Sequence, residues 1–151
     1  MTAPTTTLSK EDLKLIFDFH RHYCPMVLLG ARQAKFAREY LLKSVSSLPY
    51  AFYRGYGCAL DGVQLFGHCT MGNGNLTLLR GRDFSLIYSH EGSNDAVLVR
   101  PVPELLGEIR TSRDSSLESS LARRIIHGPV DDIFTSEDVE GPGILTRYPE
   151  G

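Results

Sequence analysis

Residues 24–43 read CPMVLLGARQAKFAREYLLK, a pattern that puts apolar residues on one face of a helix and most charged residues on the other. Pro25 fits the first position of this helix, because a residue there needs no backbone N–H, and Cys24 then takes the cap position. The segment also contains several small residues: Gly30, Ala31, Ala34 and Ala37. We therefore predict a helix over 24–43 that packs closely against a neighbouring element.

The segments around this helix predict a mixture of helices and strands. The predicted elements are, in chain order, helices over 9–20 and 24–43, a strand over 50–56, a helix over 58–68, strands over 76–79, 84–89 and 96–100, and helices over 104–109 and 114–126. The connections between the last three strands are short enough for hairpins. The pattern therefore predicts an α+β fold in which several helices pack on an antiparallel sheet.

The length of 151 residues suits a single domain. Residues 1–8 are predicted to be a disordered lead-in, and 9–130 to form the core. Residues 131–151 are rich in glycine, proline and acidic side chains and are predicted to be a tail.

Composition and charge exclude several classes of protein. The net charge of −2 provides no broad basic surface for nucleic acid or an anionic membrane. The apolar runs are far shorter than the ~20 residues that span a bilayer, and the first residues lack the features of a signal peptide. The three cysteines are an odd number without a C-x-x-C pair, which favours reduced thiols and a cytoplasmic protein.

The densest chemistry lies in Phe19-His-Arg-His-Tyr-Cys-Pro25. His20, His22 and Cys24 alternate, so in an extended segment their side chains share one face. A helix beginning at Cys24 would favour the thiolate, and imidazole and thiolate are the usual ligands of zinc. We predict a divalent metal site here, with zinc ahead of nickel or iron. The alternative is a buried cysteine between two surface histidines.

A second cluster follows in residues 58–75. Helical spacing places Cys58, Asp61, Gln64 and His68 on one stripe, and these are the candidate catalytic residues. In an enzyme, Asp61 or His68 would handle protons. The alternative is a solvated helix face in which Asp61 serves as a cap.

Only one of the two later cysteines can join Cys24. Eleven residues of continuous helix rise about 16 Å, so Cys58 and Cys69 cannot share one metal ion within a chain. We favour Cys69, because it lies where the helix gives way to a pliable glycine loop, with Cys58 as the alternative. The predicted metal ligands are therefore His20, His22, Cys24 and Cys69.

The loop after Cys69 is a candidate binding segment for an anionic group. Successive backbone N–H groups at Gly72, Gly74 and Asn75 would form the cradle. The loop lacks the lysine and the spacing of a P-loop, and a tight turn that feeds the next strand is the alternative.

These two clusters resemble the FmdE family of formylmethanofuran dehydrogenase subunits over about residues 10–130. The family motif H-G-H-x-C-P is similar to His20-Arg-His-Tyr-Cys-Pro25, and C-x-x-D-A-x-Q…G-C-T-x-G-K-G-N-L is similar to Cys58–Leu76. Three positions depart from the motifs: Arg21 and His68 replace glycines, and Asn73 replaces the lysine. No cysteine follows Cys69, so the chain resembles core-only members that lack a C-terminal zinc finger.

The resemblance implies an α+β core that forms homodimers and gathers the matched His, Cys, Asp and Gln residues in one cleft. It also implies a molybdenum or tungsten oxidoreductase as a partner, the methanogenesis-related enzyme that reduces carbon dioxide onto methanofuran. We therefore expect a metal-binding accessory or subunit-like protein of redox or C1 metabolism. The alternatives are a small metal- or thiolate-dependent enzyme acting on a small anionic substrate, and a structural subunit with inert thiols.

Overall fold

A computed structural model of the chain describes residues 6–41 and 48–140. Its elements are, in chain order, α1 (Lys10–His20), α2 (Pro25–Tyr40), β1 (Pro49–Tyr53), α3 (Cys58–Gly67), β2 (Leu76–Leu78), β3 (Leu86–His90), β4 (Asp95–Pro101), α4 (Pro103–Thr111), α5 (Ser120–His127), a 3-10 turn (Val130–Asp132) and β5 (Phe134–Glu140). The predicted α+β fold is confirmed. Within the described part of the chain, no helix is both long enough and apolar enough to cross a membrane.

The five strands form one sheet in the order β2-β1-β3-β4-β5. All neighbouring pairs are antiparallel except β1 and β2, which are parallel. The predicted hairpin between β3 and β4 is correct. The predicted hairpin between β2 and β3 is wrong: helix α3 connects β1 to β2, so β2 returns beside β1 in the same direction, and β3 pairs with the other side of β1.

Both predicted chain ends need correction. Residues 134–140 are not tail, because they form β5 and pair with β4 along its whole length. Most side chains of β5 are exposed and polar, so its sequence lacks an apolar pattern, and the backbone ladder holds it in place. At the other end, Leu8 is buried and its N–H donates to the carbonyl of Ile126, so the predicted lead-in contributes to the core. Residues 1–5 and 141–151 lie outside the described residues.

Two helices differ from their predicted limits. Helix α5 begins at Ser120 rather than near residue 114, because the Ser119 side chain accepts the N–H of Ala122 and caps the helix there. Helix α2 ends at Tyr40, with Leu41 as its C-cap. Residues 42 and 43, the predicted end of that helix, lie outside the described residues.

Helices α2 and α3 are in backbone contact. A β-carbon at Gly30 in α2 would lie 2.1 Å from the carbonyl oxygen of Ala59 in α3, and one at Gly62 would lie 2.4 Å from the backbone nitrogen of Ala31. The predicted close packing of the small residues is therefore confirmed. This contact brings the first turns of α2 and α3 together, and both turns begin with a cysteine.

We expect the substitution Gly30→Ala to lower the free energy of unfolding by about 1–3 kcal/mol or more, because the added methyl group must push the two helices apart. Urea unfolding followed by circular dichroism measures this. Gly107→Ala in α4 is the matched control: a β-carbon there would meet no atom of the described residues within 4 Å beyond its immediate neighbours, so the substitution should raise stability by up to about 1 kcal/mol. Equal stability of the Gly30→Ala and wild-type proteins would contradict the close contact.

Candidate metal centre

Three elements bring four potential metal ligands together. His20 is the last residue of α1, Cys24 is the N-cap of α2, and Cys58 is the first residue of α3. With His22 from the connection between α1 and α2, each of these side chains offers one ligand atom, and the four atoms lie within 4.8 Å of one another. The predicted association of His20, His22 and Cys24 is therefore what the structure shows.

The chain reaches this arrangement through a turn rather than through an extended segment. Helix α1 includes His20, and the next residue, Arg21, has a positive φ of 73°. The N–H of Arg21 donates to the Phe17 carbonyl and closes the helix. This turn stacks the two imidazoles with their ring centroids 4.3 Å apart. The predicted extended conformation of this segment is thus wrong, although the three side chains still meet.

The environment of the His20 ring is that of a metal ligand. Its Nδ1 lies 2.6 Å from Oδ2 of Asp61, and a carboxylate only accepts hydrogen bonds, so Nδ1 carries the proton and donates it. The lone pair is then on Nε2, which is buried and has no hydrogen-bond partner among residues 6–41 and 48–140. Histidines that bind metals usually donate their other N–H to a carboxylate or carbonyl in this way.

The two thiols differ in their surroundings. The Cys24 sulfur accepts the N–H of Val27 at 3.5 Å, at the positive end of the α2 dipole. The Cys58 sulfur lies 3.8 Å from Nε2 of His22. Burial, the neighbouring Cys24 thiol and the charge of Asp61 raise the pKa of Cys58 to about 11. A second negative charge is therefore unfavourable here without a cation to compensate it.

Cys69, which the sequence argument favoured as the partner of Cys24, lies elsewhere. Its side chain is fully buried, and its sulfur donates to the carbonyl of Gly67 at 3.4 Å. Burial raises its pKa to about 12. Because α3 continues to Gly67, the chain turns inward only after the helix has ended, and Cys58 joins Cys24 in place of Cys69.

The predicted polar stripe on α3 holds for three of its four members. Asp61 follows Cys58 by one turn and contacts His20, and Nε2 of Gln64 donates to Oδ1 of Asp61 at 3.4 Å. His68 is instead the C-cap of α3, with a positive φ of 59°, and its side chain is not part of the four-ligand group. The structure thus separates His68 from the other candidate catalytic residues.

The loop after α3 uses its own backbone donors. Its N–H groups are engaged as follows: Thr70 with the Asn73 side chain, Met71 with the Gln64 side chain, Asn73 with the Thr70 side chain, Gly74 with the Met71 carbonyl, and Asn75 with the Asn73 side chain. In the predicted anion cradle of Gly72, Gly74 and Asn75, two of the three N–H groups are therefore already bonded. The arrangement matches the alternative interpretation, a tight turn that feeds β2.

Comparison with known proteins gives a consistent result. The sequence pattern of the FmdE family, described as "Molybdenum formylmethanofuran dehydrogenase operon", matches residues 19–140. The chain is also similar to the 1.90 Å crystal structure of an FmdE-like protein of tungsten formylmethanofuran dehydrogenase from Syntrophus aciditrophicus. The TM-score is 0.69 at 30% identity, covering 96% of this chain and 80% of that chain.

A curated relative covers a smaller region. The chain is 36% identical over 89 residues to a probable S-adenosyl-L-methionine-binding protein of Archaeoglobus fulgidus, a match of 55% of this chain and 22% of that protein. The chain thus spans about a fifth of the length of the curated relative that it matches.

The burial of the three thiols predicts their order of alkylation in the folded, metal-free protein. Cys24 and Cys58 are half-buried, so iodoacetamide should modify both well before it modifies the fully buried Cys69, with a difference of about tenfold or more. Peptide mass spectrometry over a time course measures this. In urea all three thiols should react at similar rates. Rapid modification of Cys69 in the folded protein would contradict the assigned positions.

Proposed function

The chain belongs to the FmdE family, and we propose that it is a metal-binding accessory protein of redox or C1 metabolism that holds one divalent metal ion, zinc first, between His20, His22, Cys24 and Cys58. The observation that carries the proposal is the state of His20. One ring nitrogen is fixed by Asp61 and the other is buried beside two thiols. A hydrogen-bonded carboxylate behind a histidine is the arrangement that orients metal ligands in proteins.

The chemistry of the four donors fits zinc. Two thiolates and two neutral imidazoles form a common zinc-binding set, and their two negative charges neutralise the charge of the ion. The ligand atoms already lie within 4.8 Å of one another, so binding would require little rearrangement of the fold. Nickel and iron also accept imidazole and thiolate ligands and are the alternatives.

The number of donors favours binding over catalysis. Four protein ligands complete a tetrahedral shell, whereas catalytic zinc sites use three and leave one position for water or substrate. The alternative function, a small metal- or thiolate-dependent enzyme, would require one ligand to leave. The exposed His22 is the candidate for that ligand.

The proposal includes two partners, a second copy of the chain and a molybdenum or tungsten oxidoreductase. Support for the second comes from the names of the family and of the solved relative, which refer to such an enzyme. Light scattering after size-exclusion chromatography tests the homodimer. Co-purification of the chain with a molybdenum- or tungsten-containing enzyme from its host tests the second partner.

We expect wild-type protein, prepared without an affinity tag and freed of metal, to bind one zinc ion per chain. Cys58→Ala should weaken binding by about 100-fold or more, because it removes a thiolate ligand. Titration against a chromophoric zinc chelator measures both affinities. Cys69→Ala is the matched control: it should retain zinc affinity while losing on the order of 1 kcal/mol of stability from its buried position.

Two outcomes would contradict the proposed site. One is a wild-type protein that takes up neither zinc, nickel nor iron. The other is the reverse pattern, in which Cys69→Ala abolishes binding and Cys58→Ala does not.

Removing the metal should destabilise the wild-type protein. An ion that binds only the folded chain adds about 2.7 kcal/mol to the free energy of unfolding when its free concentration is 100 times Kd. A chelator should therefore lower the Tm of the zinc-loaded wild type and leave that of Cys58→Ala unchanged. Differential scanning calorimetry with and without chelator measures the shift, and equal shifts in both proteins would assign the stabilisation to another site.

A further inference from the structure

Gln64 joins the metal centre to the loop that follows α3. We infer that Gln64 is a positioning residue, through which the conformation of the loop over 68–75 controls the orientation of His20 and hence the affinity of the centre for its metal. The inference rests on the proposed function and adds a means of regulating it. It is carried by three hydrogen bonds in series, from Met71 to Gln64, from Gln64 to Asp61, and from His20 to Asp61.

The chemistry of its two neighbours fixes how the Gln64 amide points. The backbone N–H of Met71 is a donor, so it faces the amide oxygen, at 3.0 Å. The Asp61 carboxylate is an acceptor, so it faces the amide nitrogen, at 3.4 Å. A rotation of the amide by half a turn would place donor against donor and acceptor against acceptor. Gln64 therefore has one favourable orientation, and only while Met71 stays in place.

The Asp61 carboxylate is held from two sides. Its Oδ1 accepts from Gln64, and its Oδ2 accepts from Nδ1 of His20 at 2.6 Å. A shift of Gln64 changes the rotation of the carboxylate, and the short bond transmits that rotation to the imidazole. The direction of the His20 Nε2 lone pair follows, because the two nitrogens belong to one rigid ring.

The other end of the series is an exposed loop. Met71 is 55% exposed, and its backbone position depends on Asn73. The Asn73 side chain accepts the N–H groups of Thr70 and Asn75 and donates to the carbonyl of His68. Since none of these three groups is a metal ligand, a molecule that contacts the loop would reach the metal centre only through Gln64.

The first test is the zinc affinity of Gln64→Met, a variant of similar length that lacks both amide bonds. We expect affinity to fall about three- to tenfold, less than the roughly 10- to 100-fold expected for Asp61→Asn, because Asp61 contacts the ligand directly and the Gln64 bond is long. If Gln64→Met does not fold, which circular dichroism shows, Gln64→Leu replaces it.

A spectroscopic measurement separates positioning from simple support of the helix. In wild-type protein the His20 Nδ1 proton, held by Asp61, should give a slowly exchanging NMR resonance. The resonance should disappear in Asp61→Asn, and in Gln64→Met it should shift and exchange faster with water. A residue that only stabilises α3 would lower Tm without moving this resonance.

A double-mutant cycle tests the link to the loop. Asn73→Ala removes the bonds that shape the loop and should weaken zinc binding about threefold in the wild-type background. In the Gln64→Met background it should have no further effect, because the connection is already broken.

The possible results separate the two proposals. If wild-type protein binds no metal, the proposed function fails. If wild-type protein binds zinc and Gln64→Met binds it equally well with an unchanged His20 resonance, the proposed function stands and the role of Gln64 is overturned. Additive effects of Asn73→Ala and Gln64→Met would also overturn it.

Discussion

The backbone contact between α2 and α3 is the constraint on which the rest of the structure depends. The carbonyl of Ala59 occupies the space that a side chain at Gly30 would need, and Gly62 meets the other helix in the same way. Helices with larger side chains at these positions would lie farther apart. Only at this short separation do the N-terminal turns of both helices present their cysteines to one point in space.

This geometry gives the first turn of each helix a chemical role. Cys24 and Cys58 sit where N–H groups and helix dipoles favour negative charge, and the turn at Arg21 adds two imidazoles. The same proximity makes two thiolates repel each other and the charge of Asp61. A group of donors that is unfavourable as a set of bare charges and favourable around a cation is what distinguishes a binding centre from a chance grouping of polar side chains.

The sequence predicts those parts of the fold and the site that depend on local interactions. The cap at Cys24, the proline that follows it and the small residues of α2 were sufficient to predict the helix and its close contact. The spacing of His20, His22 and Cys24 predicted their association because the three residues are neighbours in the chain.

The parts that depend on distant contacts could not be predicted in this way. The choice between Cys58 and Cys69 depends on how α3 lies against α2, and Gly62, which faces Ala31, was the signal that would have favoured Cys58. The parallel pairing of β2 with β1 depends on the path of the chain through α3. Strand β5 was missed because its ladder with β4 involves backbone groups, and the polar side chains of an edge strand resemble those of a tail.

The ligands also come from separated parts of the chain, and this has a consequence for the life of the protein in the cell. His20, His22 and Cys24 are contiguous, but Cys58 follows only after all of α2 and β1. An ion bound to all four would tie the ends of that segment together as a crosslink does, and would lower the entropy gained on opening it. Proteases degrade chains through such openings. The supply of metal to the cell would then help to determine how long each copy of the protein survives.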